Sequence, residues 1–134
     1  MKEISVVAAI IEHNEKILCV QRGKNKYKYI SMKFEFPGGK IEQGETLEGA
    51  IIREIKEELN MIIKAEYPFM TVKHQYPDFL LTMHAFMCSC KNPSLTLSEH
   101  INYKWLEADE LRDLDWAEAD IPIMEKLING VKPI

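Results

Sequence analysis

The chain is poor in net positive charge, in pairable cysteines and in long apolar runs, and each shortage removes a class of function. Lysine and arginine number 17 against 21 aspartates and glutamates, a net charge of −4. Proteins that grip a nucleic-acid polymer carry the opposite balance, because phosphate backbones are held by cationic excess. A single nucleotide is not excluded, since a metal ion can neutralise its phosphates. Cysteine occurs only at Cys19, Cys88 and Cys90, an odd count with no disulfide framework, as expected in a reducing compartment. Cys88 and Cys90 share one face of a strand-like run and read as buried thiols rather than zinc ligands. No apolar run approaches the ~18 residues that cross a bilayer. Met1-Lys2-Glu3 leads straight into a strand-like run with no small-residue cleavage site. The expectation is a cytoplasmic protein without membrane contact. Repeats, linkers and low-complexity tracts are lacking too. With 134 residues, 46% of them apolar, one domain spanning 1–134 is expected.

What the sequence does have is concentrated between residues 39 and 61, GKIEQGETLEGAIIREIKEELNM. From Thr46 to Leu59 there is no proline, and Leu47, Ala50, Ile51, Ile55 and Leu59 recur with the period of one buried helical stripe. Glu54, Glu57 and Glu58 stand at i, i+3 and i+4, so they neighbour one another on a sector bordering that stripe. Like charges at this spacing repel, and anions in the C-terminal half oppose the helix dipole. An acidic surface helix relieved by Arg53 and Lys56 is one reading. The other is a hard divalent cation bridging the carboxylates, because Mg²⁺ and Ca²⁺ take oxygen ligands.

The flanks favour the cation. Phe34-Glu35-Phe36-Pro37 reads as a short strand ended by proline, and Gly38-Gly39 as a turn whose backbone can approach a metal or phosphate. Gly44 marks a second turn, and Asn60 is suited to the left-handed position that closes a helix. Elsewhere, Ile4 to Ile11 and Lys16 to Gln21 read as a hairpin around a polar turn. Tyr67 to Gln75 and Phe79 to Cys90 are strand-like, with the turn Tyr76-Pro77-Asp78 between them. Tyr103 to Glu107 is a short strand, Ala108 to Leu114 a short helix, and a last helix runs from about Ile121 to Asn129, ending at Gly130. This order of elements implies an α/β fold, a mixed β-sheet between helices. His74, His84 and His100 have no ligand spacing and are expected to be satisfied or exposed.

Gly39, five residues, Glu45, seven residues and then Arg53-Glu54-Ile55-Lys56-Glu57-Glu58-Leu59-Asn60-Met61 resembles the Nudix box, the signature of the Nudix hydrolases. The one departure is Asn60, where the family has glycine, and asparagine tolerates the same left-handed backbone. The resemblance spans nearly the whole chain and implies the α/β/α sandwich of the Nudix fold. The chain looks closest to the bacterial branch containing MutT and the CTP pyrophosphohydrolases. It implies Mg²⁺, with Mn²⁺ as a substitute, held by Glu54, Glu57, Glu58 and a carbonyl of the Gly38-Gly39 turn, Gly39 in particular. Glu54 is the implied general base, and Arg53 orients it or another box carboxylate. Glu45 ligates or supports the cluster. Glu99, six residues before Trp105, is implied as an auxiliary metal ligand or the alternative base.

For the substrate, Arg22 in the basic loop 22–28 and Lys40 beside the glycines are candidates for phosphate contacts. Asp120 is a favoured N-cap residue ahead of Pro122. By resemblance it also stands where the branch carries its base-recognising Asn or Asp, and would then meet a base presenting an amine. Phe36 and Phe79 are candidates for stacking, against a default of core packing. The implied reaction is hydrolysis of a nucleoside triphosphate to monophosphate and pyrophosphate by attack at the β-phosphorus. The substrate would be 8-oxo-dGTP or CTP/dCTP-type nucleotides, in nucleotide-pool sanitation. Alternatives are a dinucleotide, a nucleotide sugar or a capped RNA 5′ end, and a non-catalytic nucleotide sensor. The expected partner is therefore a small nucleotide, and monomer and homodimer both remain open.

Overall fold

The computed structural model describes residues 2–130. Its first two strands, β1 (Lys2–His13) and β2 (Lys16–Arg22), form the expected hairpin. His13 faces Lys16 across a two-residue turn in which Asn14 and Glu15 both have positive φ, 51° and 66°. That is the turn geometry whose twist matches a hairpin. Two very short strands follow, β3 (Phe34–Glu35) on β2 and β4 (Gly38–Lys40) on β1.

β4 corrects the expectation of a Gly38-Gly39 turn. Both glycines lie in extended backbone, with Gly38 paired to Ala8 and Gly39 to Val7. What requires glycine is closeness rather than a left-handed φ. A Cβ on Gly38 would lie 1.9 Å from the Val7 carbonyl oxygen, and one on Gly39 would lie 2.4 Å from the Glu54 carboxyl group.

Helix α1 (Leu47–Leu59) is capped as its sequence suggests. Thr46 accepts from the Gly49 N–H at 3.0 Å, and Asn60 takes the left-handed conformation with φ 53° while donating to the Lys56 carbonyl. Strand β5 (Ile63–Gln75) begins four residues before the expected Tyr67. Register shifts at Ala65/Tyr67 and Pro68/Met70 accommodate Pro68, which an edge strand tolerates. Strands β6 (Phe79–Cys90) and β7 (His100–Leu106) complete the sheet. The short helix expected at 108–114 is a 3₁₀ turn, Ala108–Asp113, capped reciprocally by Glu107 and Glu110. A second 3₁₀ turn, Glu118–Asp120, leads into α2 (Ile121–Asn129), which ends at left-handed Gly130.

The sheet runs β3-β2-β1-β6-β5, with β4 on β1 and β7 on β2. It is mixed because β1 and β6 pair in parallel from Lys2–Phe79 to Glu12–Ser89. Alternation along β1 divides the core. Val7, Ala9 and Ile11 pack on Ala50, Ile51, Ile55 and Leu59 of α1, while Ala8 and Ile10 join Leu111, Trp116, Ile123 and Met124 on the other face. The result is the expected α/β/α sandwich. Cys19 and Cys88 are buried, and burial pushes both thiols up to about 12. They are inert packing groups.

The β4 contact gives a direct test. Gly38→Ala drives a methyl into the β1 backbone, which cannot retreat without breaking the ladder. The expected loss is on the order of 1–3 kcal/mol or more, read from the urea midpoint at unchanged slope. A stable Gly38→Ala protein would contradict the β1–β4 register.

Candidate active site

The box residues assemble around Arg53. Its Nε and Nη2 donate to the two Glu45 oxygens at 2.7 and 2.9 Å, and Nη2 also donates to the Lys40 carbonyl at 3.0 Å. Nη1 donates to Glu54 Oε1 and to Glu57 Oε2, each at 3.1 Å. Glu45 accepts the Glu42 N–H at 2.7 Å as well. The Arg53 fork and that N–H hold the Glu45 carboxyl below its ordinary range, and the bonds from Arg53 to Glu45 and Glu54 raise Arg53 further above its own.

Glu58 lies on the buried side of this group. Its Oε2 is buried and has no hydrogen-bond partner among the described residues. Burial, followed by the charges of Glu54, Glu99 and Glu35, pushes its carboxyl up to about 9. Glu99 comes near because its loop is tied to the end of α1. Thr96 N–H donates to the Leu59 carbonyl at 2.9 Å, and Ser98 Oγ to the Glu58 carbonyl at 2.8 Å.

On the far side of β4 a cavity of about 190 Å³ opens, with Gly38 and Gly39 in its wall. Arg22, Glu35, Phe36, Tyr76, Phe79 and Asp120 also line it. Asp120 is only 4% exposed and makes no side-chain cap to α2. Its Oδ1 accepts the Phe36 N–H at 3.0 Å instead. Burial, then the Glu35 charge, pushes the Asp120 carboxyl well up towards its neutral form, against the pull of Phe36 N–H and Arg22. Phe36 is 3% exposed and stacks on Trp116 at 4.7 Å, so it belongs to the core beneath the cavity, while Phe79 is half-buried. Tyr76 OH accepts the Ala119 N–H at 3.0 Å and so fixes the segment carrying Asp120.

The chain matches the NUDIX domain over residues 1–127. It belongs to the Nudix hydrolase family. A CTP pyrophosphohydrolase of Escherichia coli (strain K12) is 35% identical over 127 residues, covering 93% of this chain and 91% of that protein. An 8-oxo-dGTP diphosphatase of the same organism is 29% identical over 128 residues, covering 95% and 98%. A solution NMR structure of the Nudix hydrolase MutT from methicillin-resistant Staphylococcus aureus 252 is also similar, at 38% identity. Its TM-score is 0.74, and the match covers 96% of this chain and 98% of that one.

Within this Nudix fold, the residues singled out by sequence fall into two adjoining groups. Glu45, Arg53, Glu54 and Glu57 form one network, with Glu58 and Glu99 beside it, and Arg22, Phe36, Phe79 and Asp120 share the cavity. Gly39 joins the two, lining the cavity while its bare Cα faces Glu54. Lys40 is the exception: its side chain is exposed and outside the cavity wall, and its carbonyl serves Arg53. Sequence reasoning missed Glu35, Tyr76 and His100. Glu35 stands between two aromatics along the chain, Phe34 and Phe36, and His100 directly follows Glu99; these are the available signals.

The site fits a hard cation. Its donors are carboxylate oxygens, one of them buried and orphaned, and a carboxyl group lies against a glycine whose Cβ would displace it. Among the described residues, the acidic trio already within ligand range of one another lies elsewhere, at Glu107, Asp109 and Glu110. Those three are exposed, and the helix-capping box of Glu107 and Glu110 accounts for the close approach.

Glu58 makes a stability prediction. The folded protein retains a proton that the unfolded chain releases above about 4.5, so stability falls as pH rises from there to about 9. Glutamine is the uncharged isostere. In the metal-free protein, Glu58→Gln is expected to raise the melting temperature, and by more as pH climbs through that window. Equal pH slopes for the two proteins would show Glu58 to be an ordinary solvated acid.

Proposed function

We propose that this protein is a divalent-metal-dependent nucleoside triphosphate pyrophosphohydrolase that releases pyrophosphate and the nucleoside monophosphate. The observation that carries this reading is the junction at Gly39, which sets a buried-carboxyl pocket against the box carboxylates. A nucleoside held by the pocket would extend its phosphates towards Glu54, Glu57 and Glu58.

Glu54, Glu57, Glu58 and Glu99, with a Gly39 backbone oxygen, are the residues that would hold Mg²⁺ or Mn²⁺. When bound, the ion supplies polarisation of phosphate oxygens and a lowered pKa for the attacking water. Arg53 holds Glu54 in place, so Glu54 can take the proton of that water, with Glu99 as the alternative base. Glu45 acts through Arg53 rather than on the substrate. Arg22, at the cavity wall, faces the phosphates, and Lys40 takes no part in this reading.

Asp120 bears on the base. A carboxyl group kept neutral offers one donor and one acceptor. Cytosine presents the complement in its N4 amine and N3, and 8-oxoguanine does so in its N7–H and O6. On that same edge guanine has two acceptors, N7 and O6, and loses the match there. One buried carboxyl therefore accommodates both substrate types that the relatives' names carry. We place Phe79, the more exposed aromatic of the pocket, against the base face, with Phe36 supporting it from below.

The test is Mg²⁺-dependent release of pyrophosphate from 8-oxo-dGTP, dGTP, CTP, dCTP and 5-substituted dCTP. Cytosine nucleotides and 8-oxo-dGTP are expected to exceed dGTP in kcat/KM. Glu57→Gln, at an exposed position, should abolish turnover without changing the melting temperature. Full activity in that variant would sink the metal assignment. Phosphate in place of pyrophosphate, or no product from any member of the panel, would redirect the search to dinucleotides and nucleotide sugars.

A further inference from the structure

A buried histidine stands between the two halves of the site. On β7 the register with β2 shifts so that Gln21 faces Asn102 but Arg22 faces His100, leaving Ile101 as the extra residue. Such a bulge re-aims the side chains beside it. On the other edge of β2, Glu35 is paired with Val20. Three strands thus bring Arg22, Glu35 and His100 together: His100 Nε2 lies 2.9 Å from Glu35 Oε2, and Arg22 Nη1 lies 3.5 Å from the same oxygen.

The pieces are unequal in freedom. The His100 side chain is 2% exposed, Glu35 22% and Arg22 41%. An ionised carboxylate has no hydrogen to give, so Nε2 is the donor. Nδ1 is buried with no partner among the described residues. A buried ring with one satisfied nitrogen is a poor choice for stability alone, because an apolar side chain of similar size avoids the cost of the orphan. Arg22 is long, half-exposed and paired with Glu35 through a single contact, so it cannot fix Glu35. The fixed member of the chain is His100.

We propose that His100 is a positioning residue for substrate phosphate binding: it holds the Glu35 carboxylate, which in turn holds the Arg22 guanidinium at the wall of the cavity. The role lies in binding rather than in the chemical step, since the side-chain bonds of the three run among themselves and not to Arg53 or a box carboxylate. It rests on the nucleotide reading only for the identity of the substrate.

The test has two arms. In protein labelled with ¹⁵N-histidine, the His100 Nε2–H should appear as a slowly exchanging, hydrogen-bonded resonance and vanish in Glu35→Ala. Absence from the unsubstituted protein, or persistence in Glu35→Ala, overturns the proposal. In kinetics at saturating Mg²⁺, His100→Leu should raise KM about tenfold with kcat changed less than about threefold. His100→Gln, whose amide nitrogen can reach the position of Nε2, should restore KM to within about threefold. In the Glu35→Ala background, His100→Leu should add little, because both remove the same contact. A loss confined to kcat, equal KM values for the Leu and Gln variants, or additive losses would each overturn it. Should His100→Leu fail to fold, the resonance and the His100→Gln and Glu35→Ala kinetics decide. Should no nucleotide be hydrolysed, affinity for inorganic tripolyphosphate, measured by calorimetry, reads the Arg22 arm independently. Weaker binding in both Glu35→Ala and Arg22→Ala then supports the proposal, and unchanged binding overturns it.

Discussion

One guanidinium organises the acidic face of this protein. A guanidinium carries five N–H groups, and in Arg53 each has an acceptor: both oxygens of Glu45, one each of Glu54 and Glu57, and the Lys40 carbonyl. These acceptors come from a loop, a strand end and two positions on α1. The fork therefore sets where the loop lies against the helix. It also neutralises carboxylates that the helix spacing forces together. Lysine, a point charge on a flexible stem, could supply the charge but not the planar arrangement.

The sheet supplies the second constraint. β4 sits so close to β1 and to α1 that neither of its glycines has room for a side chain. This thin wall separates two environments of opposite character. On one side, burial and then the charge of its neighbours drive one carboxyl group towards its protonated form; on the other, a largely apolar cavity buries Asp120 with Glu35 and Arg22 in its wall. A triphosphate nucleotide has the same division, an uncharged aromatic base at one end and concentrated negative charge at the other. In this reading, the thinness of the wall lets one small molecule span both environments.

What could be read from the sequence was local. The stripe Ala50-Ile51-Ile55-Leu59, the Thr46 cap and the Asn60 terminus are signals within one or two helical turns, and they hold in the structure. Gly38-Gly39 looks like a turn in sequence because a glycine required for φ and one required for space leave the same mark there. Only the neighbours, Val7 and Glu54, distinguish them. Arg22 and Lys40 are both candidates for phosphate contacts in the sequence; the sheet leaves Lys40 exposed and brings Arg22 to the cavity wall. Glu35, Tyr76 and His100 converge from three separate strands and turns, partly through a bulge at Ile101. No periodicity announces a contact made by register.

The parallel pairing of β1 with β6 has a consequence for how the chain reaches this state. The eleven rungs from Lys2–Phe79 to Glu12–Ser89 join segments 77 residues apart, and a closure of that length is slow compared with a helix or a hairpin. On a ribosome, the box helix and the first hairpin emerge while the second edge of β1 still has nothing to pair with. That edge is apolar in its middle, at Val7 to Ile11, and is an invitation to strands of other chains until β6 arrives. The motif that marks the family is thus made early. The platform that gives it a shape is made late, and crowding during synthesis acts on the interval between them.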